Sequence, residues 1–451
     1  MKKILYLFIF LLSMAGCKNS SFESAFDELP EARMQAAIAK VNTTLTSAQN
    51  GWIATLPTQA GGGYGFFVTF DGATQVVKMY SDLTGASSTT VGVSTYRVKA
   101  NAGAELIFDT YNSISLLDDP DPASFAGVTG SGHKSDVEFI YDHSTADSII
   151  FTGKKYRQPF KLVKATAAQK AAYESGGYKT AIDKFKSFFA TTSNPYIEIV
   201  SGSTTLKGGI NFDFTTSVAS GKRVNFTGLL ADGTVGSGSS KFAFKLDGVD
   251  FLGSGLAYSG VTFLKALWKD ATTLVFYDVA GKEYIVKSNP TPLLPLYILI
   301  GSGYKSVIVP NATTFPGWGS DFITRRAAAT TGLARWNIGA GSLRFQSMTF
   351  TFNDVTKKMS IKIDAPDGTN SFSLTFDYTY TKTADGVFKF NQGTLGGNES
   401  AIGPDLAPLL GQRINVDTFT VDYFTHPTTG VVMALFKSVQ NPTFTFTGNI
   451  Q

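Results

Sequence analysis

Apolar residues along the chain keep two different periods, and the changes between them mark its organisation. Met34, Ile38, Val41 and Leu45 recur at spacings of three and four, which is one face of an amphipathic helix. Asp27 or Glu28 suits the start of that helix, Pro30 fits its first turn, and Asn50-Gly51 suits its end. Trp52 follows at once. The period then becomes two: Phe66, Val68 and Phe70 alternate up to Asp71-Gly72, a hairpin-turn signal. Further strands are predicted over 94–98, 105–111, 137–141, 148–152 and 160–163. A long irregular stretch, 117–135, interrupts them with DDPDP and GVTGSGH; loops of that length are usually functional or mobile.

A second helical region is predicted over 167–190, broken at Gly176-Gly177 because two glycines are costly inside a helix. Tyr178, Ile182, Phe185 and Phe189 form its apolar stripe. Strands resume over 197–200, 210–214, 224–229, 242–246, 273–277 and 283–286. The order helix-then-strands thus occurs twice. The segments SIIFT (148–152) and TLVFY (273–277) each precede a Gly-Lys turn and a final strand, which fits either a diverged duplication or a chance similarity of generic strands. SNPTPLLP (288–295) reads as a linker. In the last third Met348, Phe350 and Phe352 alternate before Asn353-Asp354, and Met359, Ile361 and Ile363 after it. Phe372, Leu374, Phe376, Tyr378 and Tyr380 make a longer strand, followed by strands over 387–390, 419–424, 431–436 and 443–447. Such alternation implies antiparallel sheets with one buried face. The expected fold is therefore α+β and mainly β, with antiparallel sheets, an N-terminal amphipathic helix and a second helical region in mid-chain.

The first residues carry a different pattern. Lys2 and Lys3 precede an apolar run from Ile4 to Leu12, then the small-residue stretch Ser13 to Gly16, the three-part layout of a secretory signal peptide. The run is far shorter than the roughly 20 residues of a membrane-spanning helix. Met14-Ala15-Gly16-Cys17 resembles a lipobox, with Met14 where Leu is usual. Cys17 is the sole cysteine of the 451 residues, so an exported chain has no disulfide to form, and the cysteine is expected to carry lipid. Two or more acyl chains give stable anchoring. The expected layout is signal peptide 1–16, lipidated tether 17–27, N-terminal α+β domain 28–165, helix-plus-strands region 166–290 and β-rich region 291–451.

Composition narrows the classes further. With 43% hydrophobic and 16% charged residues, the chain is of folded type. The net charge is +4, two units of it from Lys2 and Lys3, so nothing favours a nucleic-acid partner. Thirty-seven Phe and 45 Gly suit short strands joined by turns.

Several residues fall in an ordered set of landmarks: Glu31, Arg33, Met34, Leu45, Ala48 and Asn50-Gly51-Trp52, then Gly62-Gly63-Tyr64, Phe108 to Asn112, Asp136 to Phe139 and Gly153-Lys154-Lys155. Over residues 28–165 this resembles the domain-of-unknown-function family numbered 4302, a group of Bacteroidota lipoproteins. The resemblance implies an envelope lipoprotein, often encoded beside nutrient-uptake genes, at the outer membrane and on either its periplasmic or its outer face. It supplies no catalytic residues.

The sequence contains no HExxH, GxSxG, P-loop or strand-following GxGxxG. With one thiol and three histidines (His133, His143, His426) it has little material for thiolate or multi-histidine metal sites. His133, Asp136 and His143 are weighed as zinc ligands against ordinary loop residues. Asp118, Asp119 and Asp121 are the tightest acidic group and the candidate Ca²⁺ ligands, although the spacing is not an EF-hand. Trp318, in the turn-rich loop FPGWG, and Trp336, beside Arg335, are the candidate ligand-binding aromatics; Trp52 and Trp268 read as core. The expected role is a non-catalytic binding or accessory lipoprotein of an envelope nutrient-acquisition system, with glycans or outer-membrane uptake proteins as partners and the membrane reached through Cys17. A hydrolase using dispersed carboxylates and a purely structural envelope lipoprotein are the competing readings.

Overall fold

A computed structural model describes residues 29–101 and 103–451. The proposed signal peptide, tether and Cys17 lie outside the described residues. Antiparallel strands dominate, with an N-terminal helix and further helices between the sheets.

The first helix, Pro30–Thr46, stops four residues before Asn50-Gly51. Its stripe buries Val41 and Leu45 fully, and Ile38 partly, against the first sheet. Gly51 then takes φ +76 where an added Cβ would strike the Val68 carbonyl, so the chain can reverse there only without a side chain. Trp52 donates from its indole to the Leu45 carbonyl at 2.8 Å and is fully buried. Eight strands follow in sequence order, from Trp52–Pro57 to Pro159–Lys164. They close into an antiparallel barrel when the last pairs with the first, Trp52 opposite Lys164 and Thr55 opposite Lys161. Asp71 accepts hydrogen bonds from Ala73 and Thr74, making the expected hairpin.

Helices Ala167–Glu174 and Gly177–Thr191 are separated at the predicted glycines. Thr166 and Gln169 close a capping box at the start of the first. A nine-stranded antiparallel sheet follows, from Tyr196–Ser201 to Glu283–Ile285. Phe185 and Phe189 of the preceding helix pack on Phe212, at 5.1 and 4.7 Å between ring centres. The outer strands of this sheet meet at one bridge, where Tyr196 and Lys287 exchange backbone hydrogen bonds of 2.9 and 2.8 Å. The two similar segments fall on Ser148–Gly153 and Leu274–Asp278. Each is the next-to-last strand of its sheet.

The third sheet is again a closed barrel of eight antiparallel strands, from Ser306–Val309 to Thr445–Ile450. Phe350, Phe352, Ile361, Phe376 and Phe444 are buried as the alternation predicts, and Phe372 is half-buried against the same core. Two helices of ten or more residues in this part were not predicted. Ser320–Leu333 leaves the chain after the first strand, and Gly397–Leu406 lies between the fifth and sixth. By contacts the chain divides into two compact units: one runs to Ile182 and includes Thr215–Lys222 and Phe242–Leu246, and the other comprises Asp183–Phe214, Arg223–Lys241 and Asp247–Gln451. Among the described residues no helix is long and apolar enough to cross a membrane.

Candidate functional site

A concavity in the N-terminal barrel opens where strand Ala104–Phe108 runs out. Its volume is about 290 Å³, and it is a shallow cleft where Asp109, Tyr111, Ser115, Asp118 and Asp119 stand beside the apolar Phe108, Pro120 and Val137. Local rules build it. Asn112 is extended and accepts hydrogen bonds from the backbone N–H groups of Ile114 and Ser115, so helix Ser113–Asp118 starts immediately after Tyr111. That short helix buries Ile114 and Leu117 and turns its C-terminal carboxylates toward the cleft. Tyr111, one residue before the cap, is left 63% exposed.

Hydrogen bonds fix the polar groups. The Tyr111 hydroxyl donates to Asp119 Oδ2 at 2.6 Å, while Asp119 Oδ1 accepts from the Asp121 N–H at 2.9 Å. Desolvation of the hydroxyl, then the bond to Asp119 and its charge, push Tyr111 up to about 12. The Tyr111 hydroxyl and the Asp121 N–H hold the Asp119 carboxyl below its ordinary range. Asp118 moves the other way: burial raises it, with Lys155 opposing and Asp136 assisting. Asp109 pairs with Arg97 at 2.7 Å. Two neighbouring carboxyls are thus pushed in opposite directions on one side of an exposed phenol ring.

The three aspartates considered for calcium are employed differently. Asp118 and Asp119 line the cleft, whereas Asp121 caps helix Pro122–Phe125 by accepting from the Ala123 N–H. Among the described residues no group of three or more His, Cys, Asp or Glu side chains is placed to hold a metal ion. His133 is fully buried, with Nε2 2.7 Å from the Phe125 carbonyl oxygen. Asp136 accepts from the Lys155 and Tyr156 N–H groups, and His143 lies exposed beside Asp142.

Trp318 requires a correction as an exposed aromatic. It is only 8% exposed, its indole donates to the Thr447 carbonyl at 3.1 Å, and its ring meets Phe322 at 5.0 Å. Gly317, at φ +86 where a Cβ would press on Thr447 and Phe424, folds the loop back. Thr445 and Thr447 then tie it down through the Gly317 and Pro316 carbonyls. Trp336 is half-buried against the same core, and its indole donates to Asp405 at 2.8 Å, which also pairs with Arg335. Trp318 therefore presents no open stacking face. Among the described residues the large exposed aromatic is Tyr111, which in the sequence figures only as a landmark; its signal is a large ring directly before a helix-capping Asn.

The profile of a family described as a domain of unknown function, DUF4302, matches residues 23–270. The chain belongs to the DUF4302 family. The matched segment contains the first barrel and most of the middle sheet, so the Tyr111 cleft lies within the DUF4302 domain and the C-terminal barrel beyond it. The DUF4302 landmarks acquire a structural meaning here. Asp136 fills the space where a side chain on Gly153 would sit and receives the N–H groups of the turn after it, while Lys154 bridges Glu105 and Glu138. No curated protein matches the chain. Among solved structures, a crystal structure of a DNA polymerase III subunit beta DnaN sliding clamp from Bartonella birtlesii LL-WM9 aligns over 94% of this chain and 98% of that chain, at 10% identity and a TM-score of 0.13. At that score the likeness carries no argument.

Proposed function

We propose that this DUF4302 protein is a non-catalytic binding or accessory lipoprotein of an envelope nutrient-acquisition system, anchored by lipid on Cys17 and holding glycans at the Tyr111 cleft. The observation that carries this reading is the exposed Tyr111 ring, pinned by Asp119 beside further carboxylates and hydroxyls. A pinned aromatic offers a stacking surface at low entropic cost, and flanking acceptors suit the hydroxyls of a sugar. The cleft's small volume fits one or two rings at the end of a chain better than an enclosed substrate.

A glycan array with the purified chain, run beside a product assay, tests it. Saturable binding without turnover, weakened at least tenfold by Tyr111→Ala while the circular dichroism spectrum is unchanged, is expected. Binding unaffected by Tyr111→Ala would remove the cleft from the function. The address is tested separately by the intact mass of the mature protein and by Cys17→Ala. Unmodified Cys17 in a soluble fraction would end the lipoprotein reading, and protease shaving of whole cells distinguishes the two faces of the outer membrane.

One observation favours a hydrolase as the second reading. Asp118 and Asp119 are neighbouring carboxyls driven apart in acidity, the condition under which one acts as acid and the other as base. Product formation abolished by Asp118→Asn would establish it. Against it stands the commitment of both Asp119 oxygens to Tyr111 and Asp121.

A further inference from the structure

The helix Ser320–Leu333 turns Phe322, Arg326, Ala329 and Leu333 toward the core of the C-terminal barrel. Three of these are apolar, and the fourth is a permanent cation. Arg326 is 6% exposed, and its guanidinium carbon lies 4.6 Å from the centre of the Phe345 ring and 5.4 Å from that of Trp318. The two rings replace part of its lost hydration, but they accept no in-plane hydrogen bond. Nε and Nη2 are both buried without a partner.

These two atoms are not an arbitrary pair. Nη2 is the nitrogen on the same side of the guanidinium as the Nε–H, so the orphaned donors together form one side-on fork, the edge that grips two oxygens of a planar anion at once. The neighbouring carboxylates are committed elsewhere. Asp321 pairs with Arg325 and Arg413, each at 2.7 Å, and Asp405 with Arg335. No carboxylate of the described residues pairs with Arg326. A guanidinium cannot escape burial by losing its proton, so an unpaired one on a core-facing stripe is destabilising unless something neutralises it.

We infer that the side-on edge of Arg326 is a receptor for a small carboxylate, held in its plane by the Trp318 and Phe345 rings. A monoanion cancels the single charge in this apolar surrounding, whereas a phosphate dianion would leave an uncompensated negative charge there. The coplanar oxygens of a carboxylate give each orphaned donor its own in-line acceptor, whereas a single chloride ion must share itself between the two along bent hydrogen bonds. This site lies beyond the DUF4302 match and is independent of the Tyr111 cleft.

The test titrates the full chain with sodium formate, acetate and benzoate, against sodium chloride and phosphate at matched ionic strength. The readouts are tryptophan fluorescence and thermal midpoint. At least one carboxylate should change both saturably, with little response to chloride. Arg326→Met should weaken carboxylate binding on the order of 10- to 100-fold, the effect of losing a bidentate charged hydrogen bond. Arg335→Met, which removes an exposed guanidinium, should leave it unchanged. Trp318→Phe should abolish the fluorescence change and keep the shift in midpoint. Should Arg326→Met fail to fold, Arg326→Lys decides, because it keeps the charge and loses the fork: preference for carboxylate over chloride should disappear. Equal responses to chloride and carboxylate, stronger binding of phosphate, no saturable response, or a response that survives at Arg326→Lys with its preference intact would each overturn the assignment.

Discussion

Both ends of the chain close eight antiparallel strands into a barrel, yet they treat buried charge in opposite ways. In the first compact unit, Lys222 is only 3% exposed and meets Asp82 at 2.7 Å; the same carboxylate oxygen accepts from the Phe244 N–H at 3.0 Å. Glu105, fully buried, receives Lys154 at 3.1 Å. In the C-terminal barrel, Arg326 has two aromatic faces and no counter-charge. Equal enclosure thus separates two uses of a charged group. A charge neutralised from within is part of the architecture, and one left open on its hydrogen-bonding edge marks a place for something to bind.

The largest effect should come from breaking a neutralised pair. Asp82→Ala takes away the carboxylate paired with the buried Lys222 ammonium and should cost about 3–5 kcal/mol, read as a lower urea midpoint for the transition of the first unit. A cost under about 1 kcal/mol would erase the distinction between the two regions. Arg326→Leu is the counterpart. It removes an unpaired cation from an apolar stripe, so ligand-free protein should become more stable, by about 1–3 kcal/mol once the lost ring contacts are set against it.

Acid sharpens the contrast. Burial pushes Asp321 up, but the hydrogen bonds from Arg413 and Arg325 outweigh it and hold the carboxyl below its ordinary value. Its contribution is therefore complete above the unfolded pKa of about 4 and is lost as pH falls through the lower, folded one. The midpoint of the C-terminal barrel should drop over that interval, and Asp321→Asn should flatten the drop; an identical acid limb in the variant would refute the assignment. The smallest effect belongs to the cleft. Tyr111→Ala removes an exposed ring and should leave stability within about 0.5 kcal/mol, measured in the same urea transitions, so any loss of glycan binding reports on the site and not on the fold.

How much of this was legible in the chain follows from which forces act locally. Val41 and Leu45 marked the first helix, and Phe350, Ile361 and Phe376 marked the last barrel, because one-sided burial imposes its period on the sequence. Helix Ser320–Leu333 escaped notice because Arg326 interrupts its apolar stripe and Thr324, Thr330 and Thr331 blur the polar side. The Ala327–Ala329 run was the available signal. Trp318 misled for a related reason: a Pro-Gly pair announces a turn but not the direction in which the next ring will fold, which here depends on Thr445 and Thr447 more than a hundred residues away. The cleft was half visible. Asp118 and Asp119 stood out as a charge cluster, while Tyr111 gained meaning only when the cap at Asn112 fixed which way the helix departs.

Among the described residues one β-bridge, Tyr196–Lys287, joins the outer strands of the middle sheet, with Lys287 also reaching Glu198 at 2.7 Å and the Asn289 N–H the Ser193 carbonyl at 3.0 Å, a narrower seam than the one that closes the first barrel, where four residue pairs from Trp52 to Thr55 are in register. In the slow breathing of the native state, such a seam is where the outer strands part first. The N–H groups of Tyr196 and Lys287 should therefore trade their protons for deuterium sooner than those along the Trp52–Lys164 closure, making this join the chain's own zip fastener.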